Sequence, residues 1–371
     1  MNTRLILYTI EVEYYRKEDF NMNTITIDTC LHMDRVIFID VRSPLEYAED
    51  TIPGAINIPV FDNDERAMLG HTYKNISKTT AKENGFDIAC HKLPDMYQKI
   101  KTVSKGYSKI VIFCWRGGMR SKSIATVMSL MHLPIFQLEG GYKAYRHYVL
   151  RDFERRLDTP SPYIVLHGYT GCGKTLLLKA LEKAGMPVLD LEGLAHHRGS
   201  VFGGVGLGEQ PSQKAFETAI YNKNKAFGDN MVFVEAESTK IGKRTVPAYA
   251  MHHIKTGIHV MIHLDKALRI QLLIDDYMQS QGIPEANFNQ IKEALSCIKS
   301  YLSNADYNKM VHDLETRNLH AFVSLLLDHY YDPMYKKWKK FYGTFDYEIN
   351  SADLDTAVKN LIDIHKKESS K

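Results

Sequence analysis

Ile110-Val111-Ile112-Phe113-Cys114-Trp115-Arg116-Gly117-Gly118-Met119-Arg120-Ser121 is the stretch that decides how this chain folds. Its first four residues form a short, continuous apolar run, the pattern of a strand buried on both faces of a parallel sheet. A glycine-containing turn follows at once, and Ser121 to His132 reads as a helix. The same strand, turn and helix recur on either side. Val36-Ile37-Phe38-Ile39-Asp40-Val41 is a second buried strand. Ile135-Phe136-Gln137-Leu138 is a third, followed by Gly140-Gly141 and a helix from Tyr142 to about Leu157. The repeat predicts an α/β domain with a parallel sheet.

Thr159-Pro160-Ser161-Pro162 then breaks the chain, and a second unit opens on the strand Tyr163-Ile164-Val165-Leu166. Met231-Val232-Phe233-Val234 and His259-Val260-Met261-Ile262-His263-Leu264 are further buried strands. From about Lys266 the pattern is mainly helical. Residues 1–24 therefore read as an extension, 25–150 as the first domain and 151–162 as a helix end and linker. Residues 163–265 read as a second α/β domain and 266–371 as a helical C-terminal region. A length of 371 residues suits this division.

Composition narrows the class. With 44% apolar and 25% charged residues the chain is neither disordered nor fibrous. The five cysteines are odd in number and widely spaced, with no Cys-x-x-Cys pair, which argues against a disulfide framework or a thiolate zinc site. No run of 18 apolar residues suggests a transmembrane helix, and the acidic first 21 residues do not read as a secretory signal, so the cytoplasm is expected. The net charge is +3, split as 19 basic against 17 acidic residues in 1–150 and 28 against 27 beyond. Nucleic acid must then be held through local patches rather than bulk charge.

Two loops carry chemistry. Around Cys114, successive backbone N–H groups of the turn form an anion nest and the next helix adds its positive end. Arg116 and Arg120 add fixed charge, so the loop favours a reactive thiolate and would hold a tetrahedral anion. Gly168-Tyr169-Thr170-Gly171-Cys172-Gly173-Lys174-Thr175 has the spacing Gly-x4-Gly-Lys-Thr between a strand and a helix, the context of a phosphate-binding P-loop. Its glycines Gly168, Gly171 and Gly173 let backbone N–H groups wrap phosphate oxygens. Lys174 supplies a point charge and the Thr175 hydroxyl a ligand for Mg2+. Cys172 fills a small-residue position. Glu235 or Glu237, after the strand at 231–234, would reach a metal or act as acid or base, and a plain surface carboxylate pair fits the sequence as well. His196 and His197 read as structural or substrate-contacting.

The first unit resembles a rhodanese domain: Asp40-Val41-Arg42 with Glu46, Ile52-Pro53-Gly54-Ala55-Ile56-Asn57-Ile58-Pro59 and the Cys114 loop are similar to its three signatures, in order. Asp50-Thr51 departs from it, where many members carry Gly-His. The Cys-x5-Arg loop is longer than in simple thiosulfate sulfurtransferases and also resembles phosphatases built on this fold. A rhodanese unit ahead of a P-loop unit resembles the tRNA 2-selenouridine synthase family. Gly70-His71-Thr72-Tyr73-Lys74, Asp190 to Ser200, Val234 to Gly242 and Tyr330-Tyr331-Asp332-Pro333-Met334-Tyr335 are similar to its further motifs. Ala236 and Thr239 depart, standing where an acidic residue and an arginine are expected.

The resemblance implies replacement of the 2-thio sulfur of wobble 2-thiouridine in tRNA by selenium from selenophosphate, with geranyl diphosphate as a second co-substrate and an S-geranylated intermediate. It implies Cys114 as the selenium-carrying nucleophile, Arg116 and Arg120 as anion ligands, and a selenophosphate-making enzyme as a partner. A sulfurtransferase or Cys-x5-Arg phosphatase regulated by the P-loop module is the alternative reading, and a non-enzymatic tRNA- or nucleotide-binding module a further one. For tRNA, two basic patches stand out. One is the interdomain helix with Arg146, Arg151 and Arg155. The other is Tyr335-Lys336-Lys337-Trp338-Lys339-Lys340, where lysines interleave with aromatics. Lys240, Lys243 and Arg244 are placed to make up for Thr239.

Overall fold

The computed structural model describes residues 22–278, 284–335 and 344–371. The chain divides into two compact units, Met1–Leu150 and Arg151–Lys371.

In the first unit, β1 (Thr24–Ile25), β2 (Val36–Asp40), β3 (Ile56–Asn57), β4 (Lys109–Phe113) and β5 (Ile135–Leu138) form one sheet in the order β1-β5-β4-β2-β3, with every pairing parallel. The strands read as unbroken apolar runs because both faces are covered. On one face Ile37, Ile39, Ile110 and Ile112 cluster with Met96, Ile100, Ile124 and Met128 from the helices Lys78–Val103 and Met119–Leu130. Burying each of these isoleucines contributes about 1.5–3 kcal/mol. The helix expected over 121–132 begins two residues earlier, where extended Gly118 caps it. It stops at Leu130, because His132 takes a left-handed φ of 59° that no helix can continue through. Between β3 and β4 the helices Asn63–Asn75 and Lys78–Val103 are inserted. The first starts on a capping box in which Asp62 and Glu65 each accept the other's backbone N–H at 2.8 Å.

In the second unit, β6 (Tyr163–His167), β7 (Val188–Leu189) and β8 (Val232–Glu235) precede a two-stranded antiparallel ribbon of β9 (Lys240–Ile241) and β10 (Arg244–Thr245). With β11 (Ile258–His263) and β12 (Tyr347–Asn350) the main sheet runs β12-β11-β6-β8-β7, again all parallel. The sheet extends to both sides of β6, so the loop after β6 opens where ligands bind in doubly wound sheets. The C-terminal region is helical as expected, except at β12. That strand is four residues long and only its Ile349 is buried, so it carries almost no period-2 signal; pairing along β11, from Val260↔Tyr347 to His263↔Asn350, defines it. The helix Leu354–Ser369 then lays Ala357, Leu361 and Ile364 into the cluster containing Leu177, Leu178 and Leu181 of the helix Lys174–Lys183. Among the described residues no helix is long and apolar enough to cross a membrane.

Candidate active site

β4 delivers Cys114 to the mouth of the first loop. Gly117 has a φ of 65° and Gly141 one of 59°; a Cβ on Gly141 would lie 2.2 Å from the Cys114 carbonyl oxygen and 2.5 Å from the Gly117 nitrogen. The Gly140-Gly141 turn is thus glycine because the cysteine loop packs directly on it. Tyr142 and Lys143 then donate backbone N–H groups to the carbonyls of Cys114 and Trp115 at 2.9 and 3.0 Å, which turns those carbonyls away from the loop interior. The Cys114 sulfur is 3.2 Å from the hydroxyl of Ser121, which is fully buried. Gln137 of β5 donates to that same hydroxyl at 3.1 Å and to the Gly117 carbonyl at 2.6 Å. With its oxygen occupied as acceptor, Ser121 keeps its own proton for the sulfur or for the Gly118 carbonyl at 3.3 Å. Gln137 lay inside a run read only as a strand; one polar residue in a buried strand was its signal.

Arg116 is exposed. Arg120 is instead engaged, its Nη1 and Nη2 donating to Glu46 at 2.6 and 3.2 Å. Burial alone would raise the Glu46 carboxyl, but Arg120, the Ser43 N–H and Arg66 outweigh it and hold the group at about 2. Behind the loop, fully buried Arg42 forms a forked pair with Asp40 (Nη2 to Oδ2 2.7 Å, Nε to Oδ1 3.0 Å) and donates to the Asp50 carbonyl at 2.6 Å. The Asp50-Thr51 departure becomes legible here. Thr51 donates to Asp40 at 2.8 Å, and the Asp50 carboxylate takes the Tyr142 hydroxyl at 2.5 Å and lies 3.9 Å from Arg146. Burial and Asp50 push the Tyr142 hydroxyl far above its ordinary range, so it stays a donor.

In the second unit the P-loop is built as the spacing required. Gly168, Gly171 and Gly173 all have positive φ, and a Cβ on Gly168 or Gly171 would meet the Cys172 sulfur at 2.4 Å or the Arg269 carbonyl at 2.9 Å. Side chains draw three loop carbonyls away: Lys174 donates to Gly168 O at 3.0 Å, Arg269 to Thr170 O at 2.9 Å and Ser351 to Cys172 O at 2.9 Å. That leaves the loop's N–H face for an anion. Arg269 is fixed by Asp332 at 2.6 and 3.1 Å and lies over Tyr169, and Tyr335 packs 5.6 Å from the Tyr169 ring. The Tyr330–Tyr335 motif therefore acts as a brace on the P-loop; it begins within a π-type turn, Leu327–Tyr331. Arg269 and Ser351 carry no local signature and escape a reading of the sequence.

Lys174 is half-buried. Burial would depress its pKa, but Cys172, Tyr335, Glu192 and Glu237 around it raise it, so the ammonium stays charged. Thr175 is exposed at the helix start. Glu235 is buried; its Oε1 accepts the Glu192 N–H at 2.8 Å and its Oε2 has no hydrogen-bond partner. Burial, with Asp190, Glu192 and Glu237 nearby, pushes Glu235 well above the carboxylate range, and burial likewise raises Glu192 and Glu237. Lys174 pulls the other way at Glu192 and Glu237. Among the described residues no group of three or more His, Cys, Asp and Glu side chains is arranged for a metal ion. A P-loop magnesium is held by one hydroxyl and the ligand's phosphates, and Thr175 would supply that hydroxyl. Thr170 of the loop also borders an apolar pocket lined by Phe202, Leu273, Ile291, Phe322 and Leu326.

The proposed tRNA contacts divide. Arg151 and Arg155 are exposed, Arg155 lying 3.2 Å from Asp152. Arg146 does not belong with them: it is 8% exposed and faces Asp50, so it is part of the loop's support and not of a surface patch. Lys240 and Lys243 are exposed on the β9–β10 ribbon and Arg244 is half-buried. Lys336, Lys337 and Trp338 lie outside the described residues.

Fold and loops together define a two-domain protein, a rhodanese-like unit followed by a P-loop unit. Residues 28–148 match the family profile of the rhodanese-like domain, and residues 161–343 that of the tRNA 2-selenouridine synthase AAA domain. Over most of its length the chain is similar to curated proteins named tRNA 2-selenouridine synthase. The one from Hydrogenovibrio crunogenus is 32% identical, covering 85% of this chain and 94% of that protein. That from Bdellovibrio bacteriovorus is 30% identical (82% and 89% covered), and that from a Sulfurovum species 30% identical (80% and 87%). The chain belongs to the tRNA 2-selenouridine synthase family.

Proposed function

We propose that this protein replaces the 2-thio sulfur of wobble 2-thiouridine in tRNA with selenium from selenophosphate, by way of an S-geranylated intermediate. The observation that carries the reading is a thiol-bearing anion loop and a diphosphate cradle bordered by an apolar pocket, in one chain. A bare thiolate is a poor leaving group. In the geranylation step the carbon–oxygen bond of geranyl diphosphate breaks as the sulfur–carbon bond forms, and diphosphate departs with the electron pair. Lys174 and the P-loop N–H groups are suited to that diphosphate, and the apolar lining of the pocket beside Thr170 suits the prenyl chain. Glu237, which burial raises above the ordinary carboxylate range, is suited to give a proton to the departing diphosphate. Cys114 is the nucleophile toward the donor: its thiolate attacks the phosphorus of selenophosphate, the P–Se bond breaks, and selenide leaves with the electron pair, while Arg116 and Arg120 hold the phosphate group. Selenide then adds at C2 of the base and geranylthiolate departs with its electron pair, and water releases phosphate from Cys114.

Nucleoside mass spectrometry of tRNA tests this. Cells lacking the gene should keep 2-thiouridine and lose 2-selenouridine; persistence of 2-selenouridine rejects the activity. Cys114→Ala should abolish selenation and leave geranylation, and undiminished selenation removes Cys114 from its role.

A further inference from the structure

In the proposed reaction Arg120 is an anion ligand, yet its terminal nitrogens are already occupied. Nη1 and Nη2 meet the two oxygens of Glu46 at 2.6 and 3.2 Å. A guanidinium has five N–H donors and two edges able to take a planar or tetrahedral anion in forked fashion. The contact with Glu46 uses the end-on edge. The side-on edge, Nε–H with one Nη–H, carries no hydrogen bond among the described residues. Glu46 is itself fixed. Its Oε2 accepts the Ser43 N–H and hydroxyl at 3.3 Å each, closing the capping box of the helix Pro44–Glu49, and lies 3.5 Å from Nε of Arg66 on the inserted helix Asn63–Asn75. Arg120 and Glu46 are mostly buried, with side chains 17% and 23% exposed. Cys114 and Asp40 lie close enough for their charges to act on Arg120.

We propose that Glu46 is a positioning residue of the Cys114 loop: backed by Ser43 and Arg66, it grips the end-on edge of Arg120 and leaves the side-on edge for the oxyanion of the selenium donor. An unheld arginine has many rotamers, and fixing it in advance removes an ordering cost from anion binding. The charge of Glu46 works the other way, weakening the field at the loop, so the two effects predict opposite signs. The geometry favours positioning, because the carboxylate engages the edge an anion does not need.

This inference rests on the reading of the loop as an anion site, and the test separates the two. Iodoacetate and iodoacetamide alkylate the same thiol, but only the first is an anion. Their rates at Cys114 are measured on the full chain by peptide mass spectrometry. In Glu46→Gln, with a thermal melt showing a retained fold, the iodoacetate to iodoacetamide rate ratio should fall about tenfold while the iodoacetamide rate stays within twofold. A ratio that is unchanged or rises overturns the proposal, as does an equal change in both rates. In Arg120→Ala the ratio should collapse. If it does not, the anion-site reading itself fails; if it does while Glu46→Gln has no effect, only the role of Glu46 fails. Should Glu46→Gln not fold, Arg66→Ala carries the test with a fall of about threefold, and an unchanged ratio there counts against the proposal.

Discussion

Gly141→Ala is the perturbation that tests the architecture of the cysteine loop most directly. The new methyl carbon would stand 2.2 Å from the Cys114 carbonyl oxygen, 2.5 Å from the Gly117 nitrogen and 3.1 Å from the Arg116 carbonyl carbon. All three are backbone atoms of the loop, so no side chain can swing aside. A relaxed carbon–oxygen contact is about 3.3 Å, so loop and turn must part by roughly 1 Å. A φ of 59° adds roughly 1–2 kcal/mol for a residue with a Cβ, and overpacking adds about 1–3 kcal/mol. The first unit should then melt roughly 5–15 °C lower. Displacing a nucleophile by about 1 Å costs on the order of 100-fold in rate, so selenation of tRNA, followed by nucleoside mass spectrometry, should fall by about that factor. Gly54→Ala is the control: its φ is 76° but nothing lies within 4 Å of the new carbon, so it should lose about 1 kcal/mol and no activity. A folded Gly141→Ala protein selenating within threefold of wild type would refute the claim that this glycine sets the position of Cys114.

Two further outcomes follow from buried carboxyls. Glu235 has a folded pKa raised above its ordinary 4.5, so its contribution to stability is present below about pH 4.5 and is lost as pH rises through the folded value. Glu235→Gln should therefore stabilise the second unit more at pH 8 than at pH 5, in melts at both; an equal effect at the two pH values would mean that the carboxyl is ionised. Asp50→Ala removes the carboxylate facing buried Arg146 and the acceptor of Tyr142, and should destabilise the first unit by roughly 3–5 kcal/mol in denaturant titration; a loss below 1 kcal/mol would show that Asp50 is not a buried brace.

The legible parts of this chain were those whose constraint is local. Continuous apolar runs mark strands covered on both faces, and both parallel sheets follow from them. β12 was missed because an edge strand of four residues with a single buried side chain has no pattern of its own. Arg146 was misplaced for a related reason. Helical spacing puts it among arginines, but only packing against Asp50 reveals that it points inward. The acidic residues Glu235 and Glu237 were visible as a motif, whereas their protonation depends on burial and on Asp190 and Glu192, which arrive from another segment.

By itself the sequence determined the two loops: glycines at positive φ, a thiol followed by two arginines, and a lysine and threonine at a helix start are requirements within about eight residues of chain. Tertiary structure alone decided what holds those loops in shape. Glu46 and Gln137 for the first, and Arg269, Asp332 and Ser351 for the second, come from 20 to 179 residues away along the chain. The physical reason is that an anion-binding loop must turn its N–H groups inward, and its carbonyls must then find donors elsewhere in the fold.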